Sequence, residues 1–186
     1  VFNNNCLPDI VINNWSPLHL ILGEIAAVSA QMGAPTLYMG DGVSYVLDTE
    51  IPGLTVVSHN DTDVTFGKSV DVGNGNLTVI MNGGDLNTAA DEGQGSPAAV
   101  WANRLKVENA GNIGTANNRF QAYVLEIPEI PGTNGMIKTI PARPTYIALE
   151  ALGDIYAALT HVIIGLKSEG VTVSPVLILE EITAGG

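Results

Sequence analysis

The stretch from Pro144 to Gly170, PTYIALEALGDIYAALTHVIIGLKSEG, constrains the chain most. Tyr146, Leu149, Leu152, Tyr156, Leu159, Ile163 and Leu166 recur at steps of three and four, the spacing of one helical face. Ala148, Ala151, Ile155, Ala158 and Val162 broaden that face, leaving a narrow polar remainder of Glu150, Asp154, His161 and Ser168. The spacing predicts a helix over 145–169. A helix so apolar is enclosed by its own sheet or by a neighbouring subunit.

Two Ser-Pro pairs mark further helix starts. At Ser16-Pro17 the serine caps the first amides and the proline takes the first helical position, where no donor is needed. Leu18, Ile21, Leu22 and Ile25 then give an apolar face, so a helix over 17–32 is expected, stopped by Gly33. Ser96-Pro97 opens a shorter expected helix over 97–108.

Between these, β patterns dominate. Thr36–Met39 and Val43–Leu47 flank Gly40-Asp41-Gly42, a hairpin signal. Leu54–Ser58, Val64–Val72 and Leu77–Met81 read as strands, with Gly73-Asn74-Gly75-Asn76 as a hairpin turn between the last two. Arg119–Ile127, Met136–Ile140 and Val171–Ile182 complete the set. No repeat of fixed period is evident. The expected fold is α+β. It has a mostly antiparallel sheet or sandwich, main helices at 17–32 and 145–169, and a short one at 97–108. Residues 1–16, rich in Asn, read as an extended N-terminal arm, and 17–186 as a single domain.

Charge narrows the function classes. The 186 residues carry 19 acidic and 7 basic side chains, a net charge of −12, and the first Lys or Arg is Lys68. Such a chain repels phosphate backbones and anionic membranes, so neither direct nucleic-acid binding nor a membrane partner is expected. No apolar run reaches the roughly 18 residues of a membrane span. Residues 1–16 lack the basic start and long apolar centre of a signal peptide, and the initial Val1 fits a processed or truncated product. The single cysteine, Cys6, rules out a disulfide framework or a cysteine zinc cluster within one chain.

Candidate sites are few. On the expected helix Glu150, Asp154 and His161 fall near one line, the residue types of a metal or acid–base site. The plain alternative is a solvated helix edge. Asp61 and Asp63 share one turn, and Asp85, Asn87 and Asp91 another, but neither fits an EF-hand loop. Gly73-Asn74-Gly75 and Gly111-Asn112-Ile113-Gly114 lack the following helix or lysine of a phosphate-binding loop. His19, His59, His161 and Cys6 form no nucleophilic motif. Trp15 or Trp101 would supply a stacking platform for a carbohydrate-binding module. Asn14, Asn60 and Asn76 open glycosylation triplets, a short pattern that arises readily in an Asn-rich chain.

The expectation is therefore a non-catalytic structural subunit with no catalytic, metal or cofactor site. Its partners would be copies of itself and other structural subunits. A virion component (a phage capsid, decoration or tail protein) fits best, with an extracellular filament or surface-layer subunit as the alternative. A metal-dependent enzyme or binding module using Glu150, Asp154 and His161 is the reading from a different class.

Overall fold

The computed structural model describes residues 10–14, 20–22, 36–39, 43–46, 53–72, 75–90, 96–126, 142, 144–163 and 177–185. These contain no helix and are mostly strand.

The chain winds in coils, each contributing to up to three parallel sheets. The first coil holds β1 (Ile10–Asn14) and β2 (Leu20–Leu22). A separate antiparallel hairpin follows, β3 (Thr36–Met39) with β4 (Val43–Val46). The second coil is β5 (Gly53–Ser58), β6 (Val64–Phe66) and β7 (Val70–Asp71), and the third is β8 (Asn76–Ile80), β9 (Leu86–Thr88) and β10 (Val100–Ala102). In the fourth coil β11 (Arg104–Ala110) and β12 (Phe120–Glu126) flank an isolated bridge at Ile113. In the fifth β13 (Thr145–Ala151) and β14 (Ala157–Ile163) flank one at Ile155, and β15 (Leu177–Ala184) begins the next turn.

Like strands of successive coils stack in register. The first sheet runs β1-β5-β8-β11-β13-β15, the second β2-β6-β9, and the third β14-β12-β10-β7. The bridges Leu86↔Ile113↔Ile155 carry the second sheet onward. Every pairing in these sheets is parallel. The result is a three-sided parallel β-helix, in which each coil packs chiefly on its neighbours.

Period-two patterning fills the interior. Leu54, Leu77, Leu105 and Ile147 are register partners in the first sheet, each 0–1% exposed. Val56, Val79, Val107 and Leu149 form the next inward column. Val64, Leu86 and Ile113 line the second sheet; Val70, Val100, Ala122 and Phe120 line the third. The rings of Phe66 and Phe120 meet across the interior at 6.2 Å and 58°, a tilted arrangement that aromatic quadrupoles favour. Each such Leu, Val or Phe contributes about 1.5–3 kcal/mol by leaving water.

Several sequence expectations are overturned. The helix expected over 145–169 is two strands, β13 and β14, joined by a corner at 152–156; residues 164–169 lie outside the described part. Along β13, Thr145, Ile147, Leu149 and Ala151 are buried, while Tyr146 and Ala148 are half-buried and Glu150 is exposed. That is a period of two. Leu149, Tyr156 and Leu159 fall at helical spacing only because a corner separates them. Leu152, also on the supposed apolar face, is 57% exposed.

The helix expected over 97–108 is β10 and most of β11, split by a corner at Asn103. Of the helix over 17–32 only Leu20–Leu22 is described, and it is a strand. The antiparallel sheet is also overturned, since the large sheets are parallel and, among the described residues, only β3–β4 is antiparallel. Val64–Val72 divides at a corner into β6 and β7, and the expected hairpin into Leu77–Met81 is a step to the next parallel coil. Met136–Ile140 lies outside the described residues. Ile10–Asn14, from the expected arm, lies in the first sheet against β5.

Candidate functional site

The corner between the first and second sheets gathers the most chemistry. There Thr62-Asp63-Val64, Gly84-Asp85-Leu86, Gly111-Asn112-Ile113 and Gly153-Asp154-Ile155 occupy successive coils. Each triplet ends on an apolar residue of the second sheet. The glycine column is set by close approach. A Cβ at Gly84 would lie 2.2 Å from the Thr62 carbonyl oxygen, and one at Gly111 would lie 2.1 Å from that of Gly83. Neither distance is compatible with any side chain.

The middle residues form a ladder of Asp and Asn side chains. The Asp85 amide donates to Asp63 Oδ1 at 2.9 Å. The Asn112 amide and Nδ2 both donate to Asp85 Oδ1, at 2.9 and 2.8 Å. The Asp154 amide donates to Asn112 Oδ1 at 2.9 Å. Bonds of this kind to a carboxylate contribute about 1.5–3 kcal/mol, and neutral ones nearer 1 kcal/mol. Asn82 and Asn109 brace the same corner in the opposite direction, donating to the carbonyls of His59 and Met81 at 3.3 and 3.2 Å. Asn109 adopts φ 54° there, a left-handed conformation that Asn tolerates better than most residues.

This arrangement uses its acids structurally. An oxygen of Asp63 and of Asp85 is engaged by the next coil's amide, which favours strand stacking over proton transfer. The pair Asp61 and Asp63 and the set Asp85, Asn87 and Asp91, considered above as cation loops, fall differently. Asp63 and Asp85 are successive rungs, Asn87 lies on β9, and Asp91 is outside the described residues. No group of three or more His, Cys, Asp or Glu that could hold a metal occurs among the described residues.

Glu150, Asp154 and His161 do not converge. Glu150 is exposed on β13. Asp154 is a corner rung whose Oδ2 accepts from the Tyr156 hydroxyl at 3.4 Å. His161 faces inward on β14, opposite the buried Val124, where the coil below supplies an apolar side chain. Its Nε2 lies 2.8 Å from Glu126 Oε2 without the alignment of a hydrogen bond. The Glu126 side chain is 5% exposed. Near it, buried Asn103 donates to the Leu125 carbonyl at 2.6 Å and to that of Pro144 at 3.4 Å. The corner between the third and first sheets is thus polar inside. Buried Thr145 Oγ1 makes no hydrogen bond among the described residues.

Trp101, considered above as a stacking platform, lies on β10 with one face against Tyr123 of the next coil, at 3.9 Å and 7°. Arg104 lies 5.0 Å over the Tyr146 ring. Both contacts join adjacent coils. Gly111-Asn112-Ile113-Gly114 is corner structure, with no helix after it. Cys6, Trp15, His19, Gly73 and Asn74 lie outside the described residues. His59 Nε2 is 3.3 Å from Asn13 Oδ1.

Sequence reasoning missed the ladder and Glu126. A signal for the ladder was present, since Gly-Asp-Leu, Gly-Asn-Ile and Gly-Asp-Ile recur, each at the same corner. Their unequal spacing hid the repeat. Glu126 carried no comparable signal, because its partner is brought close only by coil stacking. No protein family, curated protein or solved structure matches the chain.

Proposed function

We propose that the chain is a non-catalytic structural subunit of an assembly built from copies of itself and other structural subunits. The observation that carries this reading is the distribution of apolar surface. The exposed large hydrophobic residues among those described are Leu152, Tyr156 and Ile182, 57%, 37% and 50% exposed. All three belong to the last coils. Two of them, Tyr156 and Ile182, line a cavity of about 490 Å³ together with Ile155, Ala157 and Leu159. Apolar surface concentrated at one end of the described coils favours contact with further polypeptide over exposure to water.

Within that class a virion protein remains the preferred reading, and the coil stack favours a tail or spike element over a capsid shell. A stack of coils grows along one axis, at about 4.8 Å per strand, and suits a rod more than a curved plate. The charge of −12 accords with a partner that is protein rather than nucleic acid.

The test is the mass of the native particle by light scattering, with negative-stain imaging. Closed, rod-bearing particles are expected. A stable monomer of 19.4 kDa at micromolar concentration would overturn the proposal, and an open helical array without a tail would redirect it to an extracellular filament.

A further inference from the structure

We draw no further inference here: the strongest candidate, the apolar cavity at the open end of the coil stack between Leu149, Ile155, Leu159 and Ile182, belongs to the surface already used for the proposed assembly, and nothing in the structure shows what covers it.

Discussion

The third strand positions of the fourth and fifth coils are register partners, yet they differ sharply. Phe120, Ala122 and Val124 of β12 are 0–1% exposed. Their partners Ala157, Leu159 and His161 of β14 are only half-buried. Apart from His161, both strands present small or apolar residues inward. The difference lies in their neighbours, since β12 is stacked between β10 and β14, while β14 has a described strand on one side alone. Burial in this fold is thus set by position in the stack as much as by the residue.

The sharpest way to break that comparison is to truncate one leucine from the middle of the stack and one from its end. Leu105→Ala removes a side chain held between Leu77 and Ile147, and should cost about 2–5 kcal/mol. Leu159→Ala should cost less than half as much. Urea denaturation of both variants checks this, and equal losses would mean the end coil is as enclosed as the middle.

Backbone crowding predicts the next effect. Gly111→Ala drives a methyl into the Gly83 carbonyl and should cost about 1–3 kcal/mol, read as a lowered unfolding midpoint. Alanine tolerated there without loss would show that the corner relaxes freely.

The ladder offers the same contrast in polar form. Asn112 is a middle rung, accepting from one coil and donating to another, so Asn112→Ala should cost about 1–3 kcal/mol. Asp154 is the last described rung, and Asp154→Ala should stay within about 0.5 kcal/mol, as at most surface positions. Thermal melts of the pair decide whether interior rungs differ from the terminal one.

A smaller contrast than that of the ladder concerns Glu126 and His161. A double-mutant cycle with Glu126→Gln and His161→Gln should give a coupling of about 0.5–1 kcal/mol, the low end for groups in contact. Independent, additive losses would mean that the 2.8 Å approach contributes nothing of its own.

Much of the strand content was legible in the sequence, because alternation in segments such as Gly53–Ser58, Asn76–Ile80 and Phe120–Glu126 is a local signal. Pairing direction was not. Gly73 to Asn76 suits a hairpin, and only the stacking of Leu54 on Leu77 and Leu105 makes the connection a coil. The false helix over 145–169 arose where a corner at Gly153 broke the phase between alternating β13 and the mostly half-buried β14, so that apolar residues of two strands fell at steps of three and four. The acidic residues were visible, but their role was not, because a carboxylate aimed at the next coil's amide looks the same in sequence as one aimed at a metal. Glu150, Asp154 and His161 share a line only on a helix that does not form.

The two corners also divide the labour of evolution. From Ala110 to Asn112 and from Ala151 to Asp154 the chain turns with almost no slack, and the ladder fixes each step. Between Glu126 and Thr145, by contrast, a long segment joins the third sheet to the first without disturbing the register on either side. Length change is therefore kept away from the laddered corner: it falls between the third sheet and the first, and also between the second and third, where three residues join β6 to β7 and eleven join β9 to β10. Insertions at those two edges can change what the rod displays while the laddered corner keeps the shaft in step.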